Sequence, residues 1–349
     1  MTSPYVNGYP ENLTSGQPIT FTVPEDFAGI RLDIALAKII PEFSRSRLTN
    51  WLKTGHILVD NKLLKAKDKI YGGETILINP PKDEFENSFS PENISLDIVY
   101  EDDQILVINK PSGLIVHPGN GNLHGTLLNG LLHHFPHLEQ IPRAGIVHRL
   151  DKDTTGLMVV AKTLIAQNSL IKQLQKHEVN RIYRLIVTGH PPREGIIRKN
   201  ISRDPNNRIK MAVTPFGGKE AITRYRVLEY FDDFSYVECK LETGRTHQIR
   251  VHLSNLGFPL VGDATYGSKK INYHPEIVAA IKALNRQALH ALKLELMHPT
   301  TKKIMKFKSK LPNDMKNLLD ALATYNQENK DEDYQAEDDY EWEVIYVDE

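Results

Sequence analysis

Apolar residues return along this chain in two rhythms, and the changes between them mark its elements. Leu32, Ile34, Ala35 and Ile39 recur at helical spacing and predict a short amphipathic helix. A second helix follows, with Leu48, Trp51 and Leu52 on its apolar side, Ser44 as its cap and Gly55 as its stop. The rhythm then changes to that of strands. Ile57 to Val59, a turn at Asp60-Asn61 and a return through Leu63 predict a hairpin, with Thr75 to Ile78 as one more strand. Farther on, apolar runs predict strands at Asp97 to Tyr100, Ile105 to Asn109, Leu157 to Ala161, Arg181 to Thr188, 221–230, 235–242, 288–296 and 303–307. Helical spacing recurs from Thr126 to Leu132, Leu164 to Gln175, Gly244 to Asn255, 276–285 and 313–323. Strands and helices neither alternate strictly nor segregate. The class this predicts is α+β, a small N-terminal module followed by a large mixed, mostly antiparallel sheet flanked by helices.

At 349 residues the chain is long for one core and suggests two domains with tails. The expected division is a disordered leader over 1–17, a compact module over 18–80, a linker over 81–93, a large domain over 94–325 and an acidic tail over 326–349. Charge sharpens the picture. The formal net charge is −1, yet the tail holds eleven Asp or Glu and one Lys, so residues 1–325 carry +9. A basic body is what binding a polyanion asks for, because each phosphate contact releases counterions. From Ser44 to Lys69 seven Lys or Arg face two Asp, and Arg45, Arg47 and Lys53 lie on or beside the second helix. A second basic stretch, Gly195 to Lys219, brings Arg208 and Lys210 around the turn Asp204-Pro205-Asn206-Asn207. Both stretches are candidate RNA contacts. No apolar run reaches membrane-spanning length and the first residues lack a basic or apolar leader, so the expectation is a cytoplasmic chain with no membrane partner. The single cysteine, Cys239, lies in an alternating run and reads as a buried, inert thiol.

The densest chemistry lies between two apolar pieces, in Gly145 to Thr163, GIVHRLDKDTTGLMVVAKT. His148, Arg149, Asp151, Lys152, Asp153, Thr154 and Thr155 crowd a loop that a mere connection would not need. Local pattern leaves two readings open, a salt-bridged turn and an active site. The histidines at His133, His134 and His137 carry no further ligand spacing and read as a helix end rather than a metal site.

The run HRLD, two residues, then TTG resembles the signature of the pseudouridine synthases that act on ribosomal RNA, in the branch that includes the large-subunit enzymes. The usual form ends in TSG, and Thr155 keeps the hydroxyl. Further stretches agree in order: NKPSGLIVHPGNG at 109–121, RIYRLIVTGHP at 181–191, GGKEAITRYRVLE at 217–229 and TGRTHQIRVHLSNLGFPLVGDATYG at 243–267. Upstream, RLDIALA and SRSRLTNWLKTGHILVDNK resemble the alpha-L RNA-binding domain. Together these cover residues from about 20 to 325.

The resemblance implies the pseudouridine synthase fold and an enzyme that isomerises uridine in 23S rRNA with neither cofactor nor metal. By family resemblance Asp151 is the essential carboxylate, Tyr183 stacks on the base and assists proton removal, Arg250 pairs with Asp151, and Arg149 inserts into the RNA as the target nucleotide is flipped out, with His148 beside the substrate. Asp151 has three conceivable tasks, attack on the ribose, attack on the ring, or removal of a ribose proton. The expected partner is ribosomal RNA, free or in a pre-ribosomal large subunit, met by a monomer. Alternatives are a sibling enzyme for other 23S rRNA positions, a catalytically idle RNA-binding assembly factor, and a metal-dependent hydrolase using His148, Asp151 and Asp153.

Overall fold

A computed structural model describes residues 5–6, 9–10, 18–40, 45–79, 90–119, 122–207, 209–267 and 273–325. The leader beyond those positions, Ser44, the side chain of Arg47, most of the linker, Arg208 and the acidic tail lie outside the described residues. The chain divides into two units, Met1–Ser88 and Phe89–Glu349.

In the first unit, α1 (Leu32–Ile39) and α2 (Arg45–Thr54) lie with a three-stranded antiparallel sheet in the order β1 (Ile19–Thr22), β3 (Thr75–Ile78), β2 (Ile57–Val59). Leu32, Ala35, Leu36 and Ile39 from α1 and Leu48, Trp51 and Leu52 from α2 meet Ile57, Val59, Ile76 and Ile78 in one core. The predicted return strand through Leu63 is absent. Val59 makes a single bridge to Lys62, and Leu63 is exposed. The reason is burial: pairing β2 with β3 sets Ile57 against Ile78 and Val59 against Ile76, so these four residues enter the core together.

The second unit holds a ten-stranded sheet. In chain order its strands are β4 (Ile98–Glu101), β5 (Ile105–Lys110), β6 (Thr155–Ala161), β7 (Asn180–Thr188), β8 (Glu194–Arg203), β9 (Met211–Thr214), β10 (Lys219–Tyr230), β11 (Phe234–Leu241), β12 (Leu289–Met297) and β13 (Ile304–Lys308). They lie in the order β9-β8-β10-β11-β7-β12-β6-β5-β4, with β13 also on β12. Every described pairing is antiparallel except the short parallel contact of β12 with β6. The class and the mostly antiparallel sheet are those the apolar rhythm predicts.

The sheet centre is buried on both faces, which explains the nearly continuous apolar runs of β5 and β6. Leu106, Ile108, Met158 and Val160 face a core that takes in α3 (Leu127–His134) and α5 (Gln248–Asn255), whereas Ile105, Val107, Leu157 and Val159 face α4 (Leu164–Gln175). A third cluster packs α6 (Pro275–Leu284) and α7 (Asn313–Tyr325) on Ile186 and Phe234. Tyr183 belongs to the first of these cores, on the face that carries the loop before β6.

Where β6 meets β12 the chain requires glycine. Gly156 has φ 113°, and a Cβ placed on it would lie 2.3 Å from the Ala291 carbonyl oxygen. Backbone crowding therefore accounts for the last residue of the TTG motif.

Candidate active site

Between Leu150 and β6 the chain makes a tight turn, closed by the Thr154 N–H donating to the Asp151 carbonyl at 3.1 Å. Several ties hold it. Lys110, 1 % exposed, donates to the carbonyls of Pro111, Leu114 and Lys152 at 2.7, 2.9 and 2.8 Å. Burial pushes its ammonium down to about 7, opposed by the charges of Asp153 and Asp151. Gln287 donates to Thr154 Oγ1, and Thr155 Oγ1 lies 2.8 Å from His290 Nδ1, so the TTG hydroxyls fix the turn to β12 and the residues before it. The polar crowding of the sequence is thus largely scaffolding around one side chain.

That side chain is Asp151, 13 % exposed. Its Oδ2 accepts a hydrogen bond of 2.9 Å from Arg250 Nη1. Arg250 comes from α5, whose start is anchored by Gln248: its Oε1 accepts from Thr243 Oγ1 and the Arg245 N–H, and its Nε2 donates to the Ile222 carbonyl. The TGRTHQIR run therefore has a structural part, Thr243 and Gln248, that aims a functional part. The other edge of the Arg250 guanidinium forks onto Asp263, Nε to Oδ2 at 2.7 Å and Nη2 to Oδ1 at 2.9 Å. Asp263 has no exposed side-chain surface, and its Oδ1 also accepts from the N–H groups of Thr265 and Tyr266. Burial raises the Asp263 carboxyl, but Arg250 and those two N–H groups outweigh it and hold it below the ordinary range. Burial works against the charge of Arg250 as well, and the two carboxylates reverse that, keeping it more firmly protonated than usual.

Tyr266 lies under the guanidinium, 5.1 Å from ring centre to Arg250 Cζ. Its hydroxyl accepts from the Met211 N–H and lies 2.8 Å from His247 Nδ1. The other ring nitrogen, His247 Nε2, faces Asp151 Oδ1 at 3.9 Å. Burial lowers the His247 imidazole, opposed by Asp151, so the neutral ring is favoured.

Asp151 opens on a cavity of about 860 Å³ lined also by His117, Arg143, His148, Arg149, Arg181, Tyr183 and Arg245. Tyr183 is 5 % exposed, and burial together with Asp151 raises its phenol, Arg181 opposing. Its hydroxyl stays protonated at neutral pH. His148 accepts from the Val159 N–H through Nε2, and burial, then the charge of Arg181, pushes it down to about 3, which rules out an imidazolium there. Arg149 is exposed and points no polar atom at any described partner. The structure thus brings Asp151, Tyr183, His148 and Arg149 to one cavity, with Arg250 held to it through Asp151. Arg45, by contrast, is engaged by Asp33, with Nη2 to Oδ2 at 2.7 Å tying α2 to α1, while Lys53 is exposed and Lys210 sits 5.9 Å from the Tyr266 ring.

A model of the RNA pseudouridylate synthase family matches residues 104–255. Ribosomal large subunit pseudouridine synthase D of Neisseria meningitidis serogroup B is 51% identical over 345 residues, covering 94% of this chain and 92% of that protein. The chain belongs to the RNA pseudouridylate synthase family. The synthase D of Escherichia coli O157:H7 is 47% identical over 318 residues, 90% of this chain and 97% of its own length. Among solved structures, human RNA pseudouridylate synthase domain containing 4 superposes with a TM-score of 0.51 at 27% identity, covering 65% of this chain and 93% of that one. Membership accounts for the sheet and for the motif order. Asp263, Tyr266, His247 and Arg181 complete the site of this family member; all four stand in quoted motifs, but motif reading gave them no site role, and their place in the fold reveals it.

Proposed function

We propose that this chain converts uridine to pseudouridine in the RNA of the large ribosomal subunit, 23S rRNA, with Asp151 as the essential carboxylate. The observation that carries the reading is the Asp151–Arg250 pair of 2.9 Å at the wall of a cavity that also holds Tyr183. The isomerisation breaks the N-glycosidic bond, turns the uracil while it remains bound, and rejoins it through carbon five. Bonds are redistributed within one nucleoside with no net redox change. Such a reaction needs a positioned carboxylate, which the hydrogen bond from Arg250 holds in place, and a wall for the detached base, which the Tyr183 ring supplies. The Tyr183 phenol, held neutral by burial and by Asp151, serves as a proton donor rather than a base at neutral pH. Arg149, exposed two residues before Asp151, is placed at the cavity rim to fill the gap left by a flipped nucleotide.

The relatives named for the ribosomal large subunit support this substrate; in the proposed reading it is met as free RNA or in a pre-ribosomal particle, by a monomer in the cytoplasm. The N-terminal unit, with Lys53 exposed on α2, serves as a phosphate-binding module of the alpha-L kind, and Lys210 extends the same role to the β8–β9 hairpin. No described helix is long and apolar enough to cross a membrane.

Two measurements test the reading. Pseudouridines mapped in 23S rRNA from cells with and without the protein should differ at discrete positions. Asp151→Asn should lower tritium release from carbon-five-labelled uridine RNA by roughly 10⁴-fold or more while RNA binding persists; appreciable release by the variant would remove Asp151 from its role.

A further inference from the structure

We infer that Arg181, with Arg245 beside it, forms a phosphodiester-binding subsite in the wall of the Asp151 cavity. The inference rests on RNA being the substrate.

Arg181 is 7 % exposed and, among the described residues, has no carboxylate partner. Its hydrogen bond is a single one, from Nη2 to the Glu242 carbonyl at 3.2 Å, and its Nε is buried without an acceptor. The other deeply buried guanidiniums are all matched by acids: Arg184 by Glu238 at 2.9 Å, Arg250 by Asp151 and Asp263, Arg286 by Asp314 at 2.7 Å. A buried cation without a counter-charge is costly to the free protein. The cost is recovered only when an anion arrives.

The surroundings favour that anion. Among the described residues, Arg143, Arg149, Arg181 and Arg245 line the cavity with Asp151 as the sole carboxylate, and Arg250 already pairs with it. Burial, and then the nearby charge of Arg245, both work against the Arg181 charge, with Tyr183 favouring it. Gly244 keeps the approach open. A Cβ there would lie 2.7 Å from Arg181 Nη1, and since Gly244 does not have a positive φ, it is space rather than backbone freedom that a side chain would take away.

Strand geometry supplies the register. Arg181 and Tyr183 are two apart on β7 and therefore share a face, roughly 6.6 Å apart along the strand. A nucleotide whose uracil lies on Tyr183 has its own backbone within reach of a guanidinium at that distance. A fork of N–H donors suits a phosphate geometrically as well as by charge.

The test compares full-length wild type, Arg181→Lys, Arg181→Met and Gly244→Ala for binding to unmodified, in-vitro-transcribed 23S rRNA at several salt concentrations, with thermal unfolding of each. Arg181→Met should weaken binding roughly tenfold near 0.1 M salt and lower the slope of log affinity against log salt by about 0.7–0.9, the share of one phosphate. Its unfolding temperature should be unchanged or higher, because an unmatched buried charge has gone. Arg181→Lys should restore most of the slope, and Gly244→Ala should weaken binding without changing the charge. Wild-type affinity and slope in Arg181→Met would overturn the subsite. So would a lower unfolding temperature with an equal affinity loss in the Lys and Met variants, which is the behaviour of a packing residue. If wild type binds the RNA with the expected slope difference yet releases no tritium, the subsite stands and the isomerase reading fails.

Discussion

Replacing Asp263 with asparagine separates the role of charge from that of shape beneath the Asp151–Arg250 pair. The carboxylate receives four donors, Arg250 Nε at 2.7 Å, Arg250 Nη2 at 2.9 Å, and the N–H groups of Thr265 and Tyr266 at 2.9 and 3.0 Å. Asparagine fits the space and keeps the Oδ1 contacts, but its Nδ2 hydrogens then meet the Arg250 Nε–H, donor against donor. Breaking a buried ion pair from one side costs about 3–5 kcal/mol. The lower end applies here, since Arg250 keeps Asp151 as a second partner. At about 2–4 °C per kcal/mol for a unit of this size, the unfolding temperature should fall by roughly 6–12 °C near pH 7. The pH dependence has a defined sign. The folded-state carboxyl is held below its ordinary value of 3.8, so its stabilisation is fully present above that value and is lost as pH falls through the lower, folded one. The gap between wild type and Asp263→Asn should therefore be full at pH 7 and close only below about pH 4. Tritium release should fall too, because a guanidinium released on one edge no longer fixes the Asp151 carboxylate. Calorimetric melts at neutral and acid pH would check this. A fall of under about 2 °C at pH 7, or a gap as wide in acid as at neutrality, would refute the shared-guanidinium account.

Other perturbations probe the frame and the RNA surface. Gly156→Ala should cost about 2–5 kcal/mol in denaturant unfolding, since it combines a φ of 113° with a Cβ 2.3 Å from the Ala291 carbonyl, and neither backbone can give way; an unchanged midpoint would place the β6–β12 contact elsewhere. If, as proposed, the N-terminal unit brings phosphate contacts and no reacting group, deleting residues 1–88 should weaken binding to 23S rRNA and lower its salt slope by about 2–4 while leaving the rate on saturating RNA near wild type. Equal slopes for the two proteins would make that unit a surface for something other than RNA.

How far the fold could be read from the chain depended on the range of the interactions. Helices α1, α4 and α7 and the strands around them were legible because their apolar spacing is local. The return strand through Leu63 was misplaced because turn chemistry at Asp60-Asn61 signals a reversal but not its partner, and the partner chosen was β3, whose Ile76 and Ile78 complete the core. Sheet order was illegible for the same reason on a larger scale: β12 reaches β6 through Thr155 and Gly156 against His290 and Ala291, and no local pattern announces so distant a pairing.

The site divides along a similar line. Asp151 stands in a loop whose polar density is visible in one dimension, and Tyr183 and Arg250 became visible through motif resemblance. Asp263 sits in VGDATYG, where an aspartate before a turn has an ordinary explanation, and its fully buried side chain is a property of the assembled α5 region. Arg181 is more hidden still. A charged residue opening a strand looks like a solvated end, but β7 lies inside a sheet covered on both faces, so the same alternation that buries Tyr183 carries Arg181 in with it. A strand that buries a cation without supplying its counter-charge gives up stability that an apolar residue would have kept. That sacrifice is what separates a side chain placed for a ligand from one placed for the core, and the unfolding temperature of Arg181→Met measures it directly.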